Sequence, residues 1–313
     1  MAATVTTAVV SWNTRELLLR CLQSLQSDVE EGVAQVWVVD NGSSDGSAAA
    51  AREAAPWAEV LEPGENLGFG RAVNLVAERS DTPWLACANA DVAPEPGALR
   101  TLLEAGEDER VGCVAPRLVL PDGSTQFSLH SLPTLAFTLA LNLGLHRLSR
   151  SLLERMLLPG YYDMNIPRDV AWAVGAFLLL RRSAFDAVGG FDARQWMYAE
   201  DLDLGWRLRD GGWITRYEPR ARVLHAWEAA TAGAFGEQRR DRFTRATYAV
   251  IARRRGPRIA RLIAAINVLG AGARVVWMTA LAVVLRRWRG PLAESRRWLS
   301  AHRQGLRRRG WTL

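Results

Sequence analysis

The chain has 313 residues, of which 49% are hydrophobic and 23% charged, so it has ample material for a folded core and does not have the composition of a disordered protein. Its formal net charge is +6, every basic residue of the lysine and arginine class is an arginine, and arginines are dense from Arg239 to the C-terminus. We expect an anionic lipid surface rather than nucleic acid as the partner, because the arginines accompany apolar helices and no nucleic-acid-reading motif.

The cysteines and the N-terminus bear on the cellular compartment. Cys21, Cys87 and Cys113 are far apart and match no metal-binding spacing, and their odd number argues against a disulfide framework. We therefore expect a reducing compartment. The chain enters a strand-like segment almost at once, without a basic region or a long apolar run, which predicts that no signal peptide is present.

Strand-like and helix-like segments alternate four times within residues 5–105. Each apolar run is followed by a polar or glycine-containing turn and a helical pattern; the predicted strands are Val5–Trp12, Val36–Asp40, Ala58–Leu61 and Trp84–Ala88. This alternation predicts a doubly wound, mostly parallel sheet, whose ligands bind beyond the carboxyl ends of the strands. The polar residues at those ends are Asp40, Asn41, Asn89 and Asp91.

Further along, the predicted elements are less regular. Strand-like segments follow at Val111–Leu120 and Asp169–Leu180, and shorter candidates at Trp213–Tyr217 and Arg222–His225. Between the first two of these segments, residues 132–160 are apolar but have no uncharged run long enough to span a bilayer. We interpret this stretch as an amphipathic helical insertion into a domain covering residues 1–230.

The C-terminal region, residues 231–313, is rich in arginine and in apolar segments. Leu262–Leu285 has Arg274 as its only charge, and arginine clusters flank it. A central arginine costs about 2.5–3.5 kcal/mol on insertion scales, which does not forbid a membrane span. The alternatives are an interfacial helix pair, divided into a hairpin by Gly270 and Gly272, or helices packed on the domain. The sequence favours membrane association and leaves spanning and interfacial arrangements open.

A cluster of carboxylates opens a predicted helix that ends at Gly211-Gly212. Glu200, Asp201 and Asp203 are three acids in four residues. Acids in the first turn stabilise a helix through its dipole, which is the structural interpretation. The functional interpretation is that one carboxylate, held ionised at the helix N-terminus, is a general base.

Transfer of a group from a nucleoside diphosphate makes three chemical demands on the protein. The leaving diphosphate needs a cation, the base and ribose need polar groups, and the attacking hydroxyl needs a carboxylate. Asp91, Asp40 and Asp201 are the respective candidates, and His225 could complete the metal shell. Structural alternatives exist for each: a capping or turn-forming role for Asp40 and Asp91, and a structural role for His225. The Asn66–Gly70 segment could likewise be an ordinary turn.

Six motifs, in a fixed order over roughly residues 4–227, resemble one enzyme family. They are Val9–Asn13, Val38–Ser47, Asn66–Gly70, Asn89–Asp91, Trp172–Ala176, and Gly189–Asp192 leading to Glu200–Leu204 and Arg207. Together they resemble the family-2 glycosyltransferases of the inverting GT-A type, and most of all the rhamnosyltransferase-like branch that builds bacterial cell-surface polysaccharide. The resemblance implies a GT-A fold, a Rossmann-like α/β arrangement with a mostly parallel sheet and flanking helices.

The resemblance also implies donor-binding residues. These are Asp40, Asn41, Gly42, Asn66, Gly68, Arg71, Asn89 and Asp91. Asp40 would contact the pyrimidine base, and Asp91 would bind a metal–diphosphate, with Mg or Mn as the metal and His225 as a second ligand. Two departures from the family pattern stand out. Asn89 replaces the first acid of the D-x-D motif, and Ala226 follows His225 in place of a glycine-rich run.

On the acceptor side, the resemblance implies that Asp201 is the general base and that Glu200 assists it or binds the acceptor. Trp172, Gly175 and Ala176 would face the acceptor. The implied reaction is a metal-dependent, inverting hexosyl transfer, with dTDP-L-rhamnose the expected donor. The apolar insertion and the basic tail favour a lipid-linked saccharide as the acceptor and the cytoplasmic face of the cell membrane as the place of reaction.

Two alternatives to that activity remain. One is transfer from a UDP- or GDP-sugar to a polyprenyl phosphate or a protein. The other is a non-catalytic nucleotide-sugar-binding module, against which the presence of Asp91 and Asp201 argues.

Overall fold

The structure is a computed structural model that describes residues 3–226 and 239–307. The chain divides into two compact units. One comprises Met1–His130 and Asp163–Ala234, and the other comprises Ser131–Tyr162 and Phe235–Leu313. The apolar insertion thus belongs to the same unit as the C-terminal region, although about 70 residues separate them in sequence.

The secondary structure alternates as the hydrophobic pattern predicts. The strands are β1 (Val5–Ser11), β2 (Ala34–Asp40), β3 (Glu59–Leu61), β4 (Trp84–Asn89), β5 (Val92–Pro94), β6 (Val111–Val119), β7 (Leu129–His130), β8 (Arg168–Val170), β9 (Trp172–Ala173), β10 (Phe177–Arg181) and β11 (Ile214–His225). The helices are α1 (Arg15–Glu30), α2 (Ser47–Ala54), α3 (Phe69–Ala77), α4 (Ala98–Ala105), α5 (Leu135–Asn142), α6 (Arg150–Arg155), α7 (Arg182–Ala187), α8 (Glu200–Asp210), α9 (Arg239–Arg255), α10 (Pro257–Val284) and α11 (Arg289–Arg307).

The first unit is built on one mixed sheet with the strand order β3-β2-β1-β4-β10-β6-β11-β5, and β8 also pairs with β11. Strands β3, β2, β1 and β4 are parallel, and so are β6 and β11. Strand β10 lies antiparallel between β4 and β6. The prediction of a mostly parallel sheet is therefore confirmed, with β10 and the short strands β5 and β8 running antiparallel to their neighbours. The register places Ser11 opposite Asp40 and Val10 opposite Asn89, so the polar strand ends share one edge.

Two strand predictions are corrected by the structure. The segment Asp169–Leu180 is not one strand but β8, β9 and β10, because the Gly175 N–H bonds to the Asp201 side chain instead of to a neighbouring strand. The segments Trp213–Tyr217 and Arg222–His225 form the single strand β11. The register of its pairing with β6 shifts between Glu218 and Arg222, and this irregularity accommodates Pro219 within the strand.

The core of the first unit lies between the sheet and its helices, where side chains such as Val9, Leu22 and Val38 are fully or almost fully buried. The cysteines are free and belong to this interior. Burial raises the pKa of the Cys21 and Cys113 thiols to about 12 and raises that of Cys87 as well, so all three remain protonated thiols.

The second unit is helical. Helices α5, α9 and α11 all pack against α10, and the predicted insertion folds as α5, a 3₁₀ turn at Leu145–Leu148, and α6. The expectation that Gly270 and Gly272 divide the apolar segment is wrong, because α10 runs through both. A Cβ atom on Gly270 would lie 2.0 Å from Asn142 Oδ1, so this glycine permits close helix packing and not a turn. Helix α10 is long and apolar enough to cross a membrane.

Candidate active site

Asp91 and His225 meet at the carboxyl ends of β4 and β11. Strand β5 begins directly after Asp91 and pairs antiparallel with β11, which puts Val92 opposite His225. The backbone N–H of Ala226 donates to the Asp91 carbonyl oxygen over 2.9 Å. As a result, His225 Nε2 lies 3.4 Å from Asp91 Oδ1, and both side chains are buried. Strand β5, which the sequence did not predict, creates this pair.

Gln126 holds the opposite side of the imidazole ring. Its Oε1 atom lies 2.6 Å from His225 Nδ1, and the amide is buried. Because an amide oxygen can only accept, Nδ1 carries a proton, and in the tautomer protonated there the Nε2 lone pair faces Asp91. Asp91 Oδ1 is itself buried without a hydrogen-bond partner. Two acceptors that face each other in this way fit a divalent cation between them.

The protein supplies few ligands for such a cation. Within residues 3–226 and 239–307, no cluster of three or more His, Cys, Asp or Glu side chains is placed to hold a metal ion. Asp91 and His225 therefore fit a site completed by substrate oxygens and water, which is how Mg²⁺ is commonly bound beside phosphates. A cavity of about 380 Å³ opens onto the pair, with Arg20, Leu120 and Arg222 among its lining residues.

The predicted donor-binding side of the sheet edge is formed by the turn after β2. Asp40 Oδ1 accepts from the Ser43 N–H over 2.7 Å, so this buried carboxylate shapes the turn. Asn41 Nδ2 donates to the Gly68 carbonyl over 3.3 Å, while Asn41 Oδ1 is buried without a partner. Gly42, at φ +77°, brings the turn against the backbone of Glu65. The predicted donor residues Asp40, Asn41 and Gly42 thus form one turn, in which the amide oxygen of Asn41 has no hydrogen-bond partner.

The second segment predicted to bind the donor, Asn66–Gly70, packs against Trp196. The Trp196 indole N–H donates to the Asn66 carbonyl over 3.0 Å, and Asn66 Oδ1 accepts from the Gly68 N–H over 2.9 Å. Gly68 has φ +78°, and a Cβ atom there would lie 2.0 Å from the Trp196 carbonyl oxygen. The Asn66 side chain therefore shapes its own turn. Arg71 is exposed on the first turn of α3.

Helix α8 starts from an unusual backbone conformation. Tyr198 and Ala199, neither a glycine, have φ values of +64° and +60°, and the buried Gln195 side chain donates to the Tyr198 carbonyl. Consecutive left-handed residues are costly and are typical of functional sites. They start α8 so that Asp201 Oδ2 accepts from the Gly175 N–H over 3.0 Å and Oδ1 accepts from the Leu202 N–H over 2.7 Å.

The two acids at the start of α8 have different surroundings. Burial, together with the Asp201 charge, raises the pKa of Glu200 to about 8, and Glu200 Oε2 is buried without a partner. Burial also raises the pKa of Asp201, but the N–H groups of Gly175 and Leu202 oppose this and favour its ionised form. We therefore assign the negative charge to Asp201 and the proton to Glu200 at neutral pH.

A short backbone link connects the Asp201 side to the Asp91 side. Ala176 accepts from the Asn89 N–H over 2.9 Å, and its neighbour Gly175 donates to Asp201. Trp172 is buried against Gly205 of α8 and stacks on His130 at 4.4 Å between ring centroids. Of the predicted acceptor residues, Gly175 holds the candidate base, Ala176 bonds to the end of β4, and Trp172 supports α8.

Comparisons with known proteins identify the family of this chain. The family described as glycosyl transferase family 2 matches residues 6–189, and glycosyl transferase family group 2 matches residues 104–299. The chain belongs to glycosyl transferase family 2. It is a glycosyltransferase, as the six motifs predict.

Relatives place this family-2 glycosyltransferase in the rhamnosyltransferase-like branch. It is 38% identical over 224 residues to the N-acetylglucosaminyl-diphospho-decaprenol L-rhamnosyltransferase of Mycobacterium tuberculosis, a match that covers 66% of this chain and 71% of the relative. It is 27% identical over 168 residues to rhamnosyltransferase WbbL of Escherichia coli, covering 50% of this chain and 60% of that one.

Solved structures show the same fold. Mannosyltransferase PcManGT from Pyrobaculum calidifontis, in complex with GDP-Man and Mn²⁺, matches with a TM-score of 0.62 at 18% identity, covering 99% of this chain and 89% of that one. GalNAc-T7 with UDP, GalNAc and Mn²⁺ matches with a TM-score of 0.56 at 13% identity, covering 80% and 48%. The GT-A fold predicted for this family-2 glycosyltransferase is thereby confirmed.

A buried ion pair in the glycosyltransferase fixes α8. Asp203 is fully buried and its Oδ2 lies 2.8 Å from Arg207 Nε. Arg207 also donates to the carbonyls of Val188 and Gly190, each over 2.6 Å. Within the acidic cluster at the start of α8, Asp203 therefore has a structural role, as the partner of Arg207.

Proposed function

We propose that the enzyme transfers a sugar from a nucleoside-diphosphate donor to an acceptor hydroxyl by one in-line displacement that inverts the anomeric carbon. The observation that carries this proposal is the link between two sites. Asp91 and His225 form a pair suited to bind a cation beyond the end of β4. The Gly175 N–H holds Asp201, and the next residue, Ala176, accepts a hydrogen bond from Asn89 at the end of the same strand. A diphosphate site and a base on adjoining segments are what such a displacement requires.

Donor binding follows from the strand ends. We assign Asp40, Asn41 and Gly42 to the nucleoside, with Asn66, Gly68 and Arg71 beside them, and Asn89 and Asp91 to the diphosphate. Asp91 and His225 would hold Mg or Mn, whose positive charge would stabilise the negative charge on the leaving diphosphate. Gln126 keeps the His225 ring turned so that Nε2 faces Asp91.

The proton path rests on Asp201. The acceptor oxygen forms its bond to the anomeric carbon while its proton passes to the Asp201 carboxylate, and the nucleoside diphosphate leaves with the bonding electron pair. The N–H groups of Gly175 and Leu202 fix the carboxylate in place beforehand, so no reorganisation is needed during the step. Glu200, which keeps its proton, donates a hydrogen bond to the acceptor.

The substrates we propose are dTDP-L-rhamnose and a lipid-linked saccharide, encountered at the cytoplasmic face of the cell membrane. The name of the Mycobacterium tuberculosis relative supports both the rhamnosyl donor and the diphospho-lipid acceptor. The apolar helix α10 and the arginines around it support a membrane surface as the place of reaction.

A transfer assay tests the assignment. The enzyme is incubated with dTDP-rhamnose, UDP-sugars or GDP-sugars, and with GlcNAc-diphospho-polyprenol, polyprenyl phosphate or a soluble saccharide, in Mg²⁺, in Mn²⁺ and in EDTA. We expect rhamnosyl transfer to the diphospho-lipid saccharide, abolished by EDTA. Transfer of a different sugar to polyprenyl phosphate, or full activity in EDTA, would replace the proposal.

A further inference from the structure

Helix α10 has an apolar stripe along one face. Leu262, Leu269, Val276 and Val283 are exposed by 48%, 72%, 75% and 81%. They are seven residues apart, which is close to two helical turns, so they follow each other along the same side of the helix. Trp277 beside them is half exposed. A contiguous apolar surface of this kind marks an interaction site.

Helix α5 and the turn after it add to the apolar surface of this unit. Leu139, Leu143, Leu145 and Leu148 are all exposed. Helix α5 is joined to α10 by a hydrogen bond of 2.8 Å from Asn142 Nδ2 to Asn267 Oδ1. The second unit thus displays large apolar side chains on two helical segments that pack together.

The opposite side of α10 is already occupied: Ala264 and Ala271 are fully buried there, and hydrogen bonds join the helix to its neighbours. Asn267 Nδ2 donates to the Tyr248 hydroxyl of α9 over 3.1 Å, and that hydroxyl lies 2.9 Å from His302 Nδ1 of α11. Arg274 donates to Asn142 Oδ1 over 3.3 Å. This chain of hydrogen bonds connects α10 to α5, α9 and α11, so α10 does not leave its neighbours without breaking it.

Those neighbours determine how α10 meets a membrane. Helix α11 runs beside it, with Ser295 Oγ 3.2 Å from Met278 Sδ, and carries Arg296, Arg297 and Arg303. An arginine at the bilayer centre costs about 2.5–3.5 kcal/mol even on insertion scales, so a span by α10 would take several such charges with it. An orientation in the membrane plane inserts the stripe alone.

Exposed arginines stand at both ends of the stripe. Arg258 and Arg261 precede it, and Arg286, Arg287 and Arg289 follow it. A basic side chain near an anionic bilayer contributes about 1 kcal/mol of attraction. The combination of an apolar stripe with basic ends fits anionic lipid headgroups above an acyl layer.

We propose that α10 lies in the plane of an anionic membrane, with its Leu262–Val283 stripe at the boundary of headgroups and acyl chains, and that it does not cross the bilayer. This inference rests on the proposed function only in that a lipid-linked acceptor makes membrane contact useful. The binding itself is measured without any transfer reaction, so the two proposals fail separately.

Vesicle flotation tests the surface. The full chain is mixed with phosphatidylcholine vesicles with and without about one-third phosphatidylglycerol, as wild type, as Leu269→Glu/Val276→Glu, and as the control Ile166→Glu. Ile166 is 50% exposed in the other unit. We expect the double variant to bind the anionic vesicles about tenfold or more weakly, with the control unchanged and the wild type weaker at high salt. Equal binding of the double variant, with circular dichroism showing a folded chain, overturns the proposal.

Labelling tests the orientation. Arg258→Cys and Arg286→Cys place single exposed thiols at the two ends of α10, while the native cysteines stay buried. In inside-out membrane vesicles, a membrane-impermeant maleimide should modify both positions from the same side. Modification of one position in inside-out vesicles and of the other only in right-side-out vesicles would show a span and overturn the proposal.

Discussion

The imidazole of His225 donates a hydrogen bond to Gln126 from one ring nitrogen and has the Asp91 carboxylate near the other. These two neighbours determine which ligand the ring can bind. Gln126 occupies Nδ1, so Nε2 and the unpartnered Asp91 Oδ1 are left to bind the same ligand. Asp201, by contrast, is held by two backbone N–H groups and is prepared to accept a proton. These contacts distinguish the pair that we propose binds a cation, Asp91 and His225, from the proposed base, Asp201.

The role of Gln126 predicts a loss of metal affinity on substitution. Gln126→Leu removes the acceptor for Nδ1–H and frees the ring to turn, whereas Gln126→Glu keeps an acceptor. We expect Mn²⁺ binding in the presence of dTDP, followed by electron paramagnetic resonance, to weaken about 10–100-fold in the Leu variant. The Glu variant should retain most of the affinity. Gln35→Leu, which removes a hydrogen bond to Thr6 within the sheet, is the matched control. Equal affinities in all four proteins would remove the role of Gln126.

The pKa of Glu200 predicts a pH-dependent stability. Its folded value of about 8 lies above the ordinary value of 4.5, so between these values the folded state holds a proton that the unfolded state releases. Stability at this site is then present at low pH and is lost as pH rises toward 8. Glu200→Gln removes the titration, so the melting temperature of the variant minus that of wild type should increase from pH 5 to pH 8. A difference that stays flat from pH 5 to pH 8 would contradict the assignment, and Glu107→Gln, at an exposed position, is the control for the substitution itself.

At the scale of elements, the turn before α3 and the segment before α8 form one clamp. The Gly68 backbone lies against the Trp196 carbonyl, the Asn66 carbonyl accepts from the Trp196 indole, and Asn41 joins the end of β2 to the same turn. The turn that we propose binds the donor is therefore held by the segment that leads into α8, which carries the proposed base.

This clamp predicts that Gly68→Ala is far more damaging than Gly64→Ala. Both glycines have φ near +80°, but a Cβ atom on Gly64 meets nothing within 4 Å, whereas one on Gly68 would lie 2.0 Å from the Trp196 carbonyl oxygen. A left-handed conformation alone costs about 1–2 kcal/mol for alanine, and Gly68, whose ψ of 175° lies outside the left-handed helical region, has a conformation that essentially only glycine adopts. Urea unfolding should show that cost for Gly64→Ala and at least about 2 kcal/mol more for Gly68→Ala, together with weaker dTDP binding. Similar losses in the two variants would show that the contact with Trp196 is unimportant.

Elements set by local patterns could be predicted from sequence. The first four βα repeats follow from continuous apolar runs, because strands buried on both faces are apolar throughout, and their polar ends locate the donor side. Contacts distant in sequence could not. Nothing local shows that Gly270 fits against Asn142, or that Gln126, an isolated glutamine after a turn, meets His225. For the same reason β10 gave no sign of its antiparallel place between β4 and β6.

At the scale of the whole molecule, the chain has one unit that contains the candidate active site and a second, helical unit, and the parts of each are separated in sequence. Helix α5, from the insertion, packs on α10, from the C-terminal region. Deleting residues 256–313 would therefore strip α5 of its packing partner and expose further apolar surface. Point substitutions on the α10 stripe are the cleaner test of membrane contact, and the candidate active site is best tested in the full chain.

The central claim is that Asp201 is the base of an inverting transfer. The most direct measurement compares wild type with Asp201→Asn in rhamnosyl transfer from dTDP-rhamnose to GlcNAc-diphospho-polyprenol, with the anomeric configuration of the product determined by NMR and dTDP affinity measured in parallel. We predict that kcat falls by about 10²–10⁴-fold in the variant while dTDP affinity changes by less than about twofold, and that the wild-type product has the inverted configuration. Near-normal turnover by Asp201→Asn, or a product that retains the donor configuration, would contradict the account.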